Sequence, residues 1–284
     1  MFEARLEQGH ILKKVFDATK DLCTDVNVDC SETGISMQAM DASHVALVSM
    51  KMNDKGFNHF RCDKGMSLGL NMTSVSKIFK ICNNDDTVTL RAQDEGDSIS
   101  FQFESAAQER ISDFELKLMD IDSEHLGIPD TEYQASITMP SSEFQRICRD
   151  MVTFGDTMNI DVSKDGVKFS VTGDIGTGNI TLKPKNDAEK PEDNVIVEMS
   201  DKIDLAFGLK YLNLFAKATP LSPTVCLQMQ ADVPLTVEYV LGRAEVGHLR
   251  FYLAPKIDED AEQQAQEGGE GGEAGGAEGG EAEE

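Results

Sequence analysis

The sequence predicts an α+β protein of two similar domains, each with antiparallel sheets packed by two short helices. Three features lead to this prediction: an internal repeat, four helices with one apolar face, and alternating strand patterns joined by short turns. The repeat appears when the chain is aligned with itself at an offset of 132 residues. Four identical pairs then coincide, namely Asn27, Asp29, Ser31 and Gly34 with Asn159, Asp161, Ser163 and Gly166.

The helices are predicted from apolar residues that recur every three or four positions. A second offset, of 137 residues, aligns the second predicted helix with the fourth. The third helix is expected to begin after Pro140, with Ser141 or Ser142 as its N-cap. The four apolar faces consist of Leu12, Val15, Phe16 and Thr19; Val75, Ile78, Phe79 and Cys82; Phe144, Ile147, Cys148 and Met151; and Leu209, Leu212 and Phe215.

The strands are predicted from alternating polar and apolar residues on either side of turn residues. In the first half, residues 26–30 are expected to pair with 34–39, and residues 87–91 with 98–103. The glycines of residues 173–178 stand in the reverse order for a dinucleotide-binding loop, so this segment is predicted to be a turn between two strands.

The charge of the chain argues at first against nucleic acid. Its 284 residues contain 51 acidic and 26 basic side chains, which gives a net charge of −25. Residues 258–284 hold 11 of the acids and no base, and their Gly/Glu-rich composition predicts a disordered acidic tail. Because the chain has no run of 18 apolar residues and no signal-like start, we expect a soluble intracellular protein without a membrane partner.

No set of side chains predicts a reaction. The six cysteines lack metal-ligand spacing, the five histidines are isolated from one another, and phosphate-binding and nucleophile motifs are absent from the sequence. Buried free thiols and surface or capping histidines are the expected roles. The sequence therefore predicts no catalytic residue, no metal and no cofactor, and the protein is not expected to be an enzyme.

Basic residues gather on the four predicted helices, on the side away from each apolar face. An ordinary solvated surface would explain any one pair, but four repeated helices with the same feature favour a basic surface that contacts phosphate groups. Since the Debye length is about 8 Å at physiological salt, acids elsewhere are screened from this surface. We expect any contact to be with a nucleic-acid phosphate backbone, without sequence preference, through Lys13, Lys14, Lys20, Lys77, Lys80, Arg146, Arg149, Lys210 and Lys217.

Several long segments carry a resemblance to a known family. They include MFEARLEQG at the start, RISDFELKLMD at residues 110–120, LGIPDTEY at 126–133, LFAKATPLSPTV at 214–225 and GHLRFYLAPKI at 247–257. Over residues 1–257 the chain closely resembles the eukaryotic DNA sliding clamps, the proliferating cell nuclear antigen family. Two departures are a hairpin at residues 241–246 that is two residues longer than usual and the extended acidic tail.

The resemblance implies a ring-forming clamp fold and a non-enzymatic function. Three chains would encircle duplex DNA as a homotrimer and act as a processivity factor for DNA polymerase in the nucleus. The domains implied are an N-terminal clamp domain (1–118), a connector (119–133), a C-terminal clamp domain (134–257) and the tail (258–284). Subunits would join by strand pairing between residues 109–117 and 175–183, with Arg110, Phe114, Lys117, Ile175, Gly178 and Lys183 at the interface.

The resemblance also implies a groove for client peptides with a glutamine-and-aromatic motif. DNA polymerase, clamp loader, flap endonuclease and DNA ligase are the clients expected. The matching groove residues are Met40, His44, Val45, Leu47, Leu126, Ile128, Pro234, Tyr252, Ala254, Pro255 and Ile257.

Two further expectations concern modification and the alternatives. Lys164 matches the family's attachment site for ubiquitin or related modifiers, and it stands beside an Asp-Gly turn signal. The alternative to a clamp is a soluble peptide-binding adaptor that does not encircle DNA, although that function would leave the basic helices unexplained. An enzyme is the third possibility, and the residue pattern argues against it.

Overall fold

The computed structural model describes residues 1–122, 126–128, 131–242 and 246–256. Four α-helices are present in this part of the chain, and they are α1 (His10–Thr19), α2 (Met72–Phe79), α3 (Ser141–Met151) and α4 (Leu209–Phe215). Three short 3-10 helices span Asp54–Gly56, Pro191–Asp193 and Ala216–Leu221. No helix among the described residues is long and apolar enough to cross a membrane.

Strands make up most of the remaining structure. In chain order they are β1 (Phe2–Leu6), β2 (Asp25–Ser31), β3 (Gly34–Met40), β4 (Ala46–Asn53), β5 (His59–Cys62), β6 (Met66–Asn71), β7 (Thr87–Ala92), β8 (Ser98–Glu104), β9 (Ile111–Lys117), β10 (Ala135–Pro140), β11 (Thr157–Ser163), β12 (Gly166–Gly173), β13 (Gly176–Leu182), β14 (Ile196–Met199), β15 (Ile203–Gly208), β16 (Thr224–Met229), β17 (Leu235–Val240) and β18 (Gly247–Leu253).

These strands form three antiparallel sheets. The first has the order β5-β1-β7-β8-β9, the second β14-β10-β16-β17-β18-β4-β3-β2-β6, and the third β13-β12-β11-β15. The nine-stranded sheet joins the two halves of the chain, because β18 pairs with β4 from Gly247 opposite Met52 to Leu253 opposite Ala46. The predicted α+β class is confirmed, with the helices packed on sheets.

The internal repeat is visible in the hairpins. Ser31 pairs with Gly34 in the first half, and Ser163 pairs with Gly166 in the second. Both glycines have positive φ, +136° and +134°, and an added Cβ would lie 2.1 Å from a carbonyl oxygen of the next strand in each case. Because only glycine fits such a turn, the two halves keep the same residue at the same place.

The apolar helix faces lie in the core as predicted. Leu12, Phe144 and Phe215 are fully buried, and the Phe215 ring stacks on Phe251 with centroids 4.6 Å apart. This stacking packs α4 on a strand of the nine-stranded sheet.

The start of α3 differs from the prediction. Pro140 occupies the N-cap position of α3, and Ser141 is the first residue of the helix. The Ser141 hydroxyl donates to the Ser222 carbonyl instead of capping the helix. Helix α4 ends at Phe215, and the chain continues as a 3-10 helix that contains Pro220. The middle of the 241–246 hairpin, residues 243–245, and the acidic tail, residues 258–284, lie outside the described residues.

Candidate functional site

The helices of both halves form one layer. Helix α1 contacts α2 and α4, α3 contacts α4, and the 3-10 helix Ala216–Leu221 contacts α1, α3 and α4. Since their apolar faces point to the core, their polar faces share one surface of the molecule. We call this surface the helix face.

The nine predicted DNA contacts all lie on or directly after these helices. Six are exposed, namely Lys77, Lys80, Arg146, Arg149, Lys210 and Lys217, and three are half-buried, namely Lys13, Lys14 and Lys20. Lys20 and Lys80 are C-cap residues rather than helical ones, and Lys217 belongs to the 3-10 helix that follows α4. Cations at helix C-termini interact favourably with the helix dipole.

Several of these bases have partners within the chain. The Lys13 ammonium donates to the carbonyl of Cys82 at 2.7 Å and thereby ties α1 to the end of α2. Four others form ion pairs with nearby carboxylates: Lys20 with Asp17, Arg146 with Glu143, Arg149 with Asp150, and Lys217 with Asp21. Exposed ion pairs of this kind contribute roughly 0–1 kcal/mol, so a phosphate group can displace the carboxylate at little cost.

The two strands that were predicted to pair between subunits each lie at the edge of a sheet. Strand β9 is the last strand of the five-stranded sheet, and β13 is the last strand of the four-stranded sheet. Each strand has a very exposed isoleucine at or next to its start: Ile111, the first residue of β9, is 58% exposed, and Ile175, directly before β13, is 72% exposed. An apolar edge strand with unpaired backbone groups is suited to pairing with another chain.

The predicted interface residues differ in how free they are. Lys117, Ile175 and Lys183 are exposed, while Gly178 is half-buried in β13. The Phe114 side chain is half-buried against its own sheet, with its ring centroid 5.7 Å from that of Phe103. By contrast, Arg110 forms an ion pair at 2.9 Å with the buried carboxylate of Asp86. Arg110 therefore holds the start of β9 within its own chain.

The structure also contains an apolar groove of about 330 Å³. It brings together nine of the eleven predicted groove residues, which are Met40, His44, Val45, Leu47, Leu126, Ile128, Pro234, Tyr252 and Ala254. Pro255 is half-buried next to Ala254 but does not line the groove, and Ile257 lies outside the described residues. These residues come from β3, β4, β18, and the connecting segments, so the groove spans both halves of the chain.

The sequence did not reveal five other groove residues. They are Ala46, Gly127, Thr131, Tyr133 and Val233. Tyr133 is fixed by a hydrogen bond of 2.9 Å between its hydroxyl and that of Thr236 on β17. Its aromatic side chain at the end of the LGIPDTEY segment was the one signal that could have identified it.

One carboxylate fixes the loop at the edge of the groove. The Asp41 carboxylate accepts hydrogen bonds from the backbone N–H groups of Ser43, Val45 and Ala46, and from the hydroxyls of Ser43 and Tyr211. His44, in the middle of the loop, has a φ of +58°, which is uncommon for a residue other than glycine. Since Tyr211 belongs to α4, this network also connects the groove with the helix layer.

The hydrogen bonds change the acidity of Asp41. Burial raises the pKa of its carboxyl group, but hydrogen bonds from the Ser43 hydroxyl and the three backbone N–H groups outweigh burial and lower the pKa to about 2. Because the folded-state pKa lies below the ordinary value of 3.8, the ionised group stabilises the loop fully above about pH 4. That stabilisation is lost as the pH falls through 2.

We expect Asp41→Asn to loosen this loop at neutral pH. The neutral amide accepts at one oxygen only, so N–H groups that now bond to a carboxylate lose a partner. Hydrogen bonds to charged groups contribute about 1.5–3 kcal/mol. The amide protons of Val45 and Ala46 should therefore exchange with solvent at least tenfold faster, as measured by NMR.

Asp25→Asn is a suitable control for this experiment. Asp25 is an exposed residue of β2 that accepts a hydrogen bond from the Asn71 side chain. Its replacement should leave the Val45 and Ala46 exchange rates unchanged. Equal rates in wild-type protein and Asp41→Asn would contradict the role given to Asp41.

Lys164 is exposed in the turn between β11 and β12. Gly166 follows with a φ of +134°, and the Ser163 hydroxyl contacts the Gly166 carbonyl at 3.5 Å. The turn predicted from Asp165-Gly166 is therefore present, and it leaves the Lys164 side chain in solvent.

The cysteines have the properties of structural thiols. All six are free, and five of them are buried. Burial raises the pKa of Cys82 to about 11 and that of Cys23 to about 12, so both are protonated at neutral pH. Within the described ranges no three His, Cys, Asp or Glu side chains are grouped as metal ligands would be.

Comparison with protein-family models agrees with the resemblance seen in the sequence. The model described as proliferating cell nuclear antigen, N-terminal domain, matches residues 1–125. The model described as proliferating cell nuclear antigen, C-terminal domain, matches residues 127–256. Both domains are thus present in the family order, over almost the whole described part of the chain. The chain belongs to the proliferating cell nuclear antigen family of DNA sliding clamps.

Proposed function

We propose that this sliding clamp closes as a homotrimeric ring with the helix face toward duplex DNA. The family assignment gives the clamp function, in which the protein holds a DNA polymerase and other enzymes on their template. The observation that supports the orientation is the placement of nine basic residues on one layer of helices in a chain of net charge −25. Acidic charge elsewhere disfavours DNA contact at other surfaces.

The contacts to DNA are proposed to be loose and exchangeable. Four of the nine bases already form ion pairs within the chain, and exposed ion pairs of this kind are weak. Phosphate and carboxylate can therefore exchange as the duplex moves past. A ring that retains DNA by enclosing it needs no tight contact, whereas tight binding of many phosphates would hinder sliding.

Subunit contact is proposed to use the two free sheet edges. Strand β9 of one protomer would pair with β13 of its partner and continue the sheet from one chain to the next. Such a contact joins two different surfaces, so it closes only when the rotation between protomers divides a full turn. The exposed Ile111 and Ile175 would be covered in the ring.

The groove is proposed to bind client peptides. Its apolar lining suits the aromatic side chains of a glutamine-and-aromatic motif, each of which could contribute about 1.5–3 kcal/mol on burial. DNA polymerase, clamp loader, flap endonuclease and DNA ligase are the clients we propose. With such clients, the proposed location of the clamp is the nucleus.

We further propose the domain limits 1–118, 119–133 and 134–257 and a purely non-enzymatic role. The first limit is supported by the end of β9 at Lys117, and the third range is supported by the start of β10 at Ala135. The protonated buried thiols support a non-enzymatic role. A peptide-binding adaptor without DNA encirclement is the second candidate, since the groove alone is compatible with it.

Lys164 is proposed as the attachment site for ubiquitin or a related modifier. Its exposure in a two-residue turn gives an incoming enzyme access to the ammonium group. With a ubiquitin-conjugating system active on this clamp, Lys164→Arg should abolish the main conjugate on denaturing gels, and Lys168→Arg should not. An unchanged conjugate in Lys164→Arg would assign the site elsewhere.

Retention on DNA tests the proposed function. The ring predicts that loaded protein stays on closed circular duplex DNA and is lost from linear DNA, whereas the adaptor predicts no difference.

A further inference from the structure

Leu126 lines the groove from the connector and not from a strand. It is 38% exposed, and it belongs to the connector between β9 and β10. The position of such a side chain is set by its own backbone. What fixes the backbone of Leu126 therefore fixes one wall of the groove.

The backbone of Leu126 is held by the side chain of Gln38. The Gln38 amide nitrogen donates to the Leu126 carbonyl at 2.9 Å, and the Leu126 N–H donates to the Gln38 amide oxygen at 2.6 Å. The two bonds satisfy both polar groups of one connector residue. This is the pattern of a β-bridge, made by a side chain in place of a strand.

Gln38 is built into a rigid part of the fold. It lies in β3, where it pairs with Asn27 of β2 and with Ser49 of β4. Its backbone thus belongs to the interior of the nine-stranded sheet. Because side chains alternate along a strand, Gln38 and Met40 point to the same face, and Met40 lines the groove. Gln38 can therefore transmit the position of the sheet to the connector.

Other hydrogen bonds hold the connector at different points. Met119 N–H donates to the Gly69 carbonyl at 2.9 Å, and the Asn27 side chain donates to the Ile121 carbonyl at 2.9 Å. Both lie at least five residues before Leu126 in the chain. They hold the start of the connector, whereas the Gln38 side chain holds it at Leu126.

A second cavity lies beside the amide pair. About 420 Å³ of space lies beside the groove, lined by Gln38, Asp122 and other residues, and it shares Met40, His44 and Leu126 with the groove. Without the pair, Leu126 would have room to move between the two cavities. The groove wall would then lose its fixed position.

We propose that Gln38 is a positioning residue of the client groove, which sets Leu126 in place for the incoming peptide through its paired amide. This inference rests on the proposed peptide-binding function. A wall that is already placed does not have to be ordered on binding, so the peptide binds more tightly. Gln38 itself acts through Leu126 and does not line the groove.

The test uses the full chain and a labelled synthetic peptide with the glutamine-and-aromatic motif. Gln38→Ala should lower the affinity for the peptide roughly five- to thirtyfold, as expected for the loss of two hydrogen bonds and of preorganisation. In a Leu126→Ala background the same substitution should lower the affinity less than about twofold, because the side chain that Gln38 positions is gone. Fluorescence anisotropy measures all four affinities.

A second measurement does not depend on peptide binding. Hydrogen exchange at the Leu126 amide should become faster in Gln38→Ala, while amides of β3 and β4 keep their wild-type rates. Gln145→Ala is the matched control, since the Gln145 amide also donates to a backbone carbonyl, that of Ala216, at 3.0 Å. It should change neither peptide affinity nor exchange at Leu126.

The outcomes separate this inference from the proposed function. If wild-type protein does not bind the peptide, the groove function fails, and the exchange rates still decide the role of Gln38. If wild-type protein binds but Gln38→Ala binds within twofold of it, the inference is overturned. Unchanged exchange at Leu126, or an equal loss of affinity in the Leu126→Ala background, would also overturn it.

Discussion

Phe114→Ala is expected to convert the trimer into single chains of 31.1 kDa at low micromolar concentration. Phe114 lies in edge strand β9, half-buried on Phe103, and in the proposed ring the rest of its ring is covered by the neighbouring β13. Losing about 2–3 kcal/mol of burial would weaken each subunit contact roughly 30- to 150-fold. Light scattering at stepwise dilution gives the mass directly.

The intrachain packing of Phe114 requires a matched control. Phe60 is also half-buried, and it lies in β5 at the opposite edge of the same sheet, with its ring 5.2 Å from that of Phe57. Phe60→Ala should lower the stability of the chain to a similar extent without changing its mass. A trimer that persists in Phe114→Ala on dilution would remove Phe114 from the interface.

The double substitution Leu126→Ala with Ile128→Ala is expected to weaken client-peptide binding by about 100-fold. Both side chains line the groove, and each is 38% exposed before a peptide covers it. Partial burial of two such side chains corresponds to about 3 kcal/mol in total. Titration of the labelled motif peptide with the full chain measures this change.

Ile196→Ala provides the comparison for this variant. Ile196 is an exposed residue of β14, 44% accessible, and it does not line the groove. Its truncation removes the same kind of apolar surface and should leave the affinity unchanged. If the double variant kept wild-type affinity while remaining folded, peptide binding would have to occur at another surface.

The repeat and the helices could be predicted because they depend on local patterns. The glycines at 34 and 166 mark identical turns, and the apolar faces of α1 to α4 are buried as their spacing indicates. Helix ends were less predictable. Ser141 was expected to cap α3, but its hydroxyl donates to Ser222, a residue far away in the chain. Competition from a tertiary partner is invisible in a local pattern.

The arrangement of the sheets could not be read from the residues alone. The pairing of β18 with β4 joins segments about two hundred residues apart, and no local sequence pattern predicts it. The same holds for the ion pair of Arg110 with buried Asp86, which the expectation of an interface role did not anticipate. Long-range pairing depends on the whole topology, so only the structure shows it.

The groove was predicted through family resemblance rather than from physical pattern. Taken singly, Leu47 and Leu126 have the character of ordinary packing residues. In the structure both of them line the groove. The side chains that hold the groove in shape, Asp41 and Gln38, were not identified as such. Their role depends on hydrogen bonds to backbone groups, which residue type alone does not specify.

The most direct test of the account is retention on DNA of defined topology. The full chain is loaded on nicked circular duplex by a clamp loader with ATP, freed of loader at moderate salt, and divided into two samples. One sample is cut once with a restriction enzyme before gel filtration. A ring around DNA predicts that protein remains with the circles and leaves the linear molecules. Equal retention or equal loss in both samples would contradict encirclement.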